Sequence, residues 1–260
     1  MGNTEEQNKR KIYNVCTVVL NIGVLFFFKY FNFFMQAFVD AFSLLGVEIN
    51  VSTLKIVLPV GISFYTFQLL SYVIDVYRGE VAAQRKYWHL LLYAALFHQC
   101  IAGPIVRYQL VADEIENRKV RIDEFSKGIM RFTIGLAKKA ILANSCASVA
   151  DTLFPTGHKE ILAVPAGGLW IGLLFYMLQI YLDFSAYSDM AIGMGWMIGF
   201  HYNENFNYPY IAASIKDFWN RWHISLSTFF RDYVYIPLGG NRKGPKRRTI
   251  NLLVVWALTG

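Results

Sequence analysis

Three long apolar runs constrain this chain more than any other feature of its sequence. Residues 12–34 contain one charged side chain, Lys29, residues 54–74 contain one, Lys55, and residues 161–182 contain none. A helix needs about 20 consecutive apolar residues to cross the hydrocarbon core of a bilayer. Charged residues make up 17% of the chain, below the roughly 25% that is typical of soluble domains. The sequence therefore predicts an integral membrane protein rather than a soluble one.

The basic residues lie where a membrane protein would carry them. In a soluble protein the net charge of +7 would suggest a nucleic-acid partner. However, the strongest basic cluster, at 242–248, comes directly before the last apolar run, at 250–260. Because basic residues beside a span mark its cytoplasmic side, we expect a lipid bilayer as the partner and no nucleic acid. The same rule places residues 9–11 and 78–86 inside and residues 35–50 outside.

The apolar runs predict an all-α fold, a polytopic transmembrane helical bundle, and we expect residues 1–260 to form one membrane domain. Residues 88–106 are apolar but contain histidines, a glutamine and a proline, and a full span would place the basic residues at 107–121 outside. We therefore expect a re-entrant or steeply tilted segment that is buried by protein. Residues 128–154 carry basic side chains before an apolar end, which predicts an amphipathic helix that enters the membrane late. Glycines between 167 and 199 predict close helix approach or broken helices.

Residues 214–235 read SIKDFWNRWHISLSTFFRDYVY and combine polar side chains with an aromatic face. Ser214 followed by Asp217 resembles a capping box, which predicts that a helix starts there. On a single helix that turns by about 100° per residue, several hydrogen-bonding side chains lie on or beside a line opposite the aromatic face: Asn220, Arg221, His223, Ser227 and Arg231. Such groups can orient a substrate or move a proton.

His223 is the candidate catalytic residue of this segment. Transfer of an acyl group from a thioester to a hydroxyl requires a base for the hydroxyl proton, and histidine, with an ordinary pKa of about 6.5, is the usual choice. A lone histidine can also be a structural hydrogen-bonding residue, so this alternative stays open. The chain has no histidine with an aspartate five positions later and no GxSxG, Walker or GxGxxG motif. Its three cysteines form no CxxC pair, so we expect neither a metal site nor a disulfide framework.

A long string within this region resembles a known family. Residues 218–244, FWNRWHISLSTFFRDYVYIPLGGNRKG, closely resemble the signature of the membrane-bound O-acyltransferase superfamily, in its alginate O-acetylation branch. Three further strings agree with the family and occur in its order: FQLLSYVIDVYRGE (67–80), AGPIVRY (102–108) and QIYLDFSAYSDMAIG (179–193). The branch that transfers D-alanine to teichoic acids shares FWNRWH but usually lacks IPLGGNRKG, which favours the acetylating branch.

The resemblance implies an enzyme with many membrane helices that transfers an acyl group, expected to be acetyl. It implies a cytoplasmic thioester donor, acetyl-CoA or an acyl carrier, as co-substrate, and no bound cofactor. The acceptor would be a hydroxyl of an exported polysaccharide or a partner protein that receives acetyl groups. A multi-pass location in the inner, or plasma, membrane is implied as well.

The resemblance also assigns roles to residues. It implies that His223 is catalytic, because this residue matches the histidine of the RWHxS motif. The family's second histidine lies in a WHG motif shortly after an LTG, and this chain ends at Leu258, Thr259 and Gly260. The resemblance thus implies a chain truncated at both ends and inactive alone.

Further polar residues within or beside apolar segments are weaker candidates for lining the site or binding substrate or donor: His98, Gln99, Arg107, Asp183, Tyr187 and Asp189. Charged groups at membrane depth are costly and usually functional, although each could instead be a buried hydrogen-bonding partner. Two alternative functions also stay open. One is D-alanyl or other acyl transfer to a cell-envelope polymer, and the other is a non-enzymatic membrane transporter or scaffold. Transporters often contain repeated halves, and this sequence contains none.

Overall fold

The computed structural model describes residues 2–47, 56–99, 103–155 and 158–259, and every regular element in these ranges is helical. This confirms the predicted all-α fold. In chain order the α-helices are α1 (Gly2–Leu44), α2 (Ile62–Arg78), α3 (Tyr87–Ala94), α4 (Tyr108–Asn117), α5 (Ile122–Ala137), α6 (Asn144–Leu153), α7 (His158–Ala163), α8 (Ala166–Met197), α9 (Ile215–Arg221), α10 (Ile224–Phe230) and α11 (Gly244–Thr259).

The chain divides into two compact units. The first comprises Met1–Leu96 and Arg107–Gln109, and the second comprises Phe97–Val106 and Leu110–Gly260. The expectation of one membrane domain over residues 1–260 stays a prediction. The candidate site described below lies entirely within the second unit.

Two helices of the described residues are long and apolar enough to cross a membrane, judged by length and composition. They are residues Glu6–Leu44 of α1 and the 32 residues of α8. At 1.5 Å per residue, α8 extends about 48 Å, which exceeds the ~30 Å of a bilayer's hydrocarbon core. Large apolar side chains are exposed on both helices, with Phe33 and Trp170 each 67% accessible. The predicted run at 12–34 lies within α1. The run at 161–182 is broken at residues 164–165, and its part from Ala166 onward lies in α8.

The predicted helical run at 54–74 is wrong in its boundaries. Residues 56–61 are not helical, and α2 begins only at Ile62. Pro59 lacks a backbone donor, and Gly61 has a left-handed backbone with φ 76°. At its other end α2 continues to Arg78, and Gly79, also left-handed, closes it with a hydrogen bond from its N–H to Val76 O at 3.1 Å.

Residues 88–106 contain no long helix in their described part. The helix α3 has 8 residues and covers about 12 Å, and a 3₁₀ turn follows at Phe97–Gln99. Residues 104–107 are not helical. A single helix that crosses the bilayer is therefore not formed by the described residues. The re-entrant topology stays a prediction.

The predicted amphipathic helix at 128–154 begins earlier than expected, at Ile122 of α5. It runs without interruption through a π-helical segment, Lys138–Ala143, into α6. Asp123 and Glu124 occupy the first turn of α5, where acidic side chains stabilise the positive end of the helix dipole. Its small residues are buried at intervals of about two turns: Gly128, Gly135, Ala143 and Ala150.

Glycines allow α5 and α8 to approach closely. A Cβ atom placed on Gly128 would lie 2.6 Å from the carbonyl oxygen of Gly193, and one on Gly135 would lie 2.8 Å from that of Ala186. Both neighbours are backbone atoms and cannot rotate away. The prediction of close helix approach is confirmed for Gly193, whereas Gly167 has no neighbour within 4 Å of such an atom.

Candidate active site

The segment 214–235 is not the single helix that its sequence suggested. Ser214 does cap α9, because its hydroxyl accepts a hydrogen bond from Asp217 N at 3.1 Å. The helix then ends at Arg221, Trp222 is extended (φ −101°, ψ 126°), and His223 is left-handed (φ 43°, ψ 55°). A new helix, α10, starts at the next residue. The predicted line of polar side chains on one helix is therefore wrong.

A neighbouring loop explains why the helix breaks here. Asn207 N donates to Arg221 O at 2.9 Å, and Ile224 N donates to Asn205 O at 3.0 Å. Asn205 Oδ1 also accepts hydrogen bonds from Ser225 N at 3.1 Å and from Ser225 Oγ at 2.9 Å. Asn205 is fully buried. The loop thus satisfies backbone groups on both sides of the break, which a continuous helix would have used internally.

His223 is buried against two phenylalanines at this break, with 7% of the residue accessible. The edge-on ring of Phe184 has its centroid 4.8 Å from that of the imidazole, and the nearly parallel ring of Phe206 lies at 6.5 Å. The Nε2 atom of His223 is buried and has no hydrogen-bond partner among the described residues. Buried polar atoms are nearly always paired in folded proteins. Nε2 of His223 is an exception to this pattern among the described residues.

Burial also sets the protonation state of His223, which lies outside the two candidate spans. Removal from water disfavours the charged imidazolium and lowers its pKa from 6.5 to about 4. The imidazole is therefore neutral at physiological pH. When Nδ1 carries the proton, Nε2 can accept one.

The lowered pKa predicts a pH-dependent stability. Between pH 6.5 and about 4 the unfolded chain binds a proton at position 223 that the folded chain does not, so stability should fall as the pH falls through this window. At 1.36 kcal/mol per pKa unit, the full loss is about 3 kcal/mol. We expect the thermal midpoint of the wild-type protein, relative to that of His223→Asn, to be lower at pH 4.5 than at pH 7. An unchanged difference would contradict a buried neutral imidazole.

A polar cavity of about 500 Å³ lies beside this break. Its described lining comes from the second unit: Arg131, Lys138, Tyr181, Ser185, Ser188, Asp189, Glu204, Phe206, Asn207, Tyr208 and Ile224. His223 is not among these residues, but its ring neighbour Phe206 and its chain neighbour Ile224 are. The hydroxyl of Ser188 is buried without a partner among the described residues. The cavity thus offers a polar space next to the candidate base.

An ion network forms one side of the cavity. Arg131 donates from Nη1 to Glu204 Oε1 at 2.7 Å and from Nη2 to Glu204 Oε2 at 2.5 Å. Its Nη2 also lies 2.9 Å from Asp189 Oδ1. Lys138 Nζ approaches the other oxygen of Asp189 at 2.5 Å and donates to Ser185 Oγ at 3.4 Å. The two cations, Arg131 and Lys138, are balanced by two carboxylates. This group therefore adds no net charge to the cavity.

The other residues predicted in 214–235 have separate surroundings. Ser227 Oγ donates to Trp222 O at 3.4 Å, and Arg221 Nε donates to Asp217 Oδ1 at 2.9 Å. Both side chains therefore support the broken segment. Asn220 is exposed, and Arg231 is exposed and pairs with its neighbour Asp232 at 2.7 Å. None of these four belongs to the described cavity lining, so their substrate roles stay predictions.

Two of the weaker candidates, His98 and Asp183, lie outside the described cavity lining. His98 is buried, and its Nε2 lies 2.6 Å from the hydroxyl of Tyr202, on whose ring it stacks. Asp183 forms an ion pair with Lys139. Gln99 ends the 3₁₀ turn, and its side chain lies outside the described part of the structure. His98 and Asp183 therefore have the partners expected if they are structural residues rather than substrate-binding ones.

Sequence reasoning missed two residues of the loop that fixes the break. Asn205 fixes the break, but it lies in the string NENFN, where nothing distinguishes it from the other asparagines. Glu204 reaches the cavity only through the fold of the loop. Asp189, by contrast, is visible in the sequence as a charged residue in a long apolar segment, where charges are costly and usually functional.

Comparison with known proteins identifies the family. Residues 82–259 match the model of the membrane-bound O-acyltransferase family. A probable alginate O-acetylase (AlgI) of Pseudomonas syringae pv. tomato is 45% identical over 243 residues, which cover 94% of this chain and 46% of the relative. A peptidoglycan O-acetyltransferase of Helicobacter pylori is 32% identical over 99% of this chain and 52% of its own length. A teichoic acid D-alanyltransferase of Bacillus subtilis is 33% identical over 68% of this chain and 44% of its own length.

The chain thus spans about half the length of these curated relatives. The family match includes the break at His223, the loop that fixes it and the described cavity lining. It also includes α8, one of the two helices that can span a membrane. This chain belongs to the membrane-bound O-acyltransferase family.

Proposed function

We propose that this chain acts in a membrane O-acetyltransferase that moves an acetyl group from a thioester donor to hydroxyls of an exported polysaccharide. The observation that carries the proposal is the buried imidazole of His223, whose Nε2 has no partner among the described residues and which lies within the family match. A neutral imidazole can take the proton of a hydroxyl as a general base.

In the proposed chemistry His223 first takes a proton from the acceptor and then gives it to the leaving group. Nε2 of His223 takes the proton of the acceptor hydroxyl as its oxygen attacks the carbonyl carbon of the thioester. A C–O bond forms, and the carbon–sulfur bond then breaks with its electron pair going to sulfur. The imidazolium returns the proton to the departing thiolate. The rings of Phe184 and Phe206 shield the imidazole from bulk water, which favours its neutral form between turnovers.

Acetyl is proposed rather than D-alanyl on the basis of similarity. The relatives named as alginate O-acetylases are 44–48% identical to this chain over at least 83% of it. The relatives named as teichoic acid D-alanyltransferases reach 27–33% over 68–79% of the chain. The proposed donor is acetyl-CoA or an acetylated acyl carrier, and the proposed partner is the polysaccharide or a protein that receives the acetyl group from this one.

A transfer assay with the full-length protein tests the proposal. Membranes that contain it would be supplied with labelled acetyl thioester or labelled D-alanyl thioester and with acceptor polysaccharide. We expect label in the polysaccharide only from the acetyl donor, above the level of membranes that lack the protein. Incorporation only from the D-alanyl donor would replace the acetyl assignment with the alternative. Incorporation from neither donor would contradict acyl transfer to such acceptors.

We also propose a multi-pass location in the inner membrane, with the basic segment 242–248 in the cytoplasm. The support is the arrangement of basic residues beside apolar segments. In a cysteine-free full-length protein, Lys243→Cys should react with a membrane-impermeant reagent only from the cytoplasmic side, and Asn50→Cys only from the outside. Reaction at position 243 from outside would contradict this topology.

A further inference from the structure

We propose that Glu204 and Arg131 are positioning residues for His223, acting through the loop that fixes the helix break. This inference rests on the base role proposed for His223. It concerns residues on three separate parts of the second unit: α5 carries Arg131, the loop after α8 carries Glu204, and the break before α10 carries His223.

The conformation of His223 requires support from its surroundings. A left-handed backbone is uncommon for a residue with a β-carbon and persists only where neighbouring contacts determine it. Here the contacts are the hydrogen bonds from Asn207 N to Arg221 O and from Ile224 N to Asn205 O. They hold the residues on either side of His223, so the direction of its imidazole depends on where residues 205–207 lie.

The position of residues 205–207 depends in turn on Glu204. This residue is the direct chain neighbour of Asn205, and its carboxylate receives two parallel hydrogen bonds from the guanidinium of Arg131. Two-point contacts of this kind fix orientation as well as distance. Arg131 is itself held by Asp189 on α8 at 2.9 Å and lies over the ring of Trp196, with its central carbon 5.2 Å from the ring centroid. The loop next to the base is thereby tied to two packed helices.

The same contacts distinguish positioning from general stability. Glu204 keeps 60% of its side chain accessible, and ion pairs with an accessible partner contribute little to the free energy of unfolding. The packing of α5 on α8 depends instead on the glycine contacts described above. Loss of the Glu204 carboxylate should therefore leave the helices in place and release the loop locally.

The experiment compares Glu204→Gln with Asp123→Asn in the full-length protein. Asp123 also pairs with an arginine, Arg121, at 3.1 Å, but on the surface at the start of α5, so it controls for loss of a carboxylate. Three quantities would be measured: the kcat and KM of acetyl transfer, the rate at which diethyl pyrocarbonate modifies His223, and the thermal midpoint. The modification rate needs no transfer activity, so it decides the positioning inference even if the proposed function fails.

We expect Glu204→Gln to lower kcat by about 10-fold or more, with little change in KM and thermal midpoint, and to speed modification of His223. Arg131→Lys should also lower kcat and speed modification of His223, because lysine cannot make the two-point contact with Glu204. If Glu204→Gln matches Asp123→Asn in kcat and in modification rate, the inference is overturned. A raised KM with unchanged kcat and modification rate would also overturn it, since Glu204 would then bind substrate directly.

Discussion

Replacing His223 with asparagine should lower acetyl transfer by about 10²–10⁴-fold while the full-length protein stays folded. The loss is the usual effect of removing a general base. Asparagine is chosen because it tolerates the left-handed backbone that the structure has at this position. Alanine would add backbone strain to the loss of the base, and the two effects would be mixed. The measurement is transfer per folded molecule, with the folded fraction determined from the monodisperse protein in detergent.

The matched control for this prediction is His89→Asn. His89 is a partly buried histidine of the first unit, with Nδ1 at 3.5 Å from Gln84 Nε2, and it lies outside the candidate site. We expect near wild-type transfer from this variant. Similar activity per folded molecule in both variants would refute the base role of His223, whereas the family membership of the chain would stand.

Replacing Gly193 with valine should prevent α5 and α8 from packing and should remove most of the folded protein. A Cβ atom at this position would lie 2.7 Å from the carbonyl oxygen of Gly128 and 2.8 Å from the backbone nitrogen of Phe132. Because both are backbone atoms, the helices must separate to make room. Overpacking of a core typically costs 1–3 kcal/mol, and we expect a loss of about 3 kcal/mol or more. The yield of monodisperse protein and its thermal midpoint measure this effect.

Gly167→Val provides the control on the same helix. Nothing lies within 4 Å of a Cβ atom at Gly167, so this variant tests the change from glycine to valine without the clash. We expect a yield close to that of the wild-type protein. If both variants fold equally well, the close contact between α5 and α8 does not determine stability.

The sequence predicted the class of the fold well and its local geometry poorly. Apolar runs identified the two helices that can span, because the bilayer imposes a length that composition alone reveals. The start of α2 was placed too early, although Pro59 and Gly61 are both visible in the sequence and both disfavour a helix. A hydrophobicity pattern contains no signal for such backbone preferences.

The break at His223 could not be predicted from the local sequence. A helical wheel assumes that the period continues, and residues 214–235 fit it. The hydrogen bonds that end α9 come from Asn205 and Asn207, which belong to a loop rather than to the segment itself. A local pattern contains no information about such partners. The family motif identified His223 as the candidate base. Its left-handed backbone and its neighbours are visible only in the folded structure.

The paired charges of α8 have a consequence for how the protein enters the membrane. Asp183 and Asp189 lie within a candidate span, where a single aspartate costs about 2.5–3.5 kcal/mol at the helix centre during insertion. Their cationic partners are on the earlier helix α5 and the π-helical segment that continues it: Arg131, Lys138 and Lys139. Because that helix is synthesised first, its cations are present when the carboxylates emerge from the ribosome. We expect the two helices to be inserted as a neutralised pair.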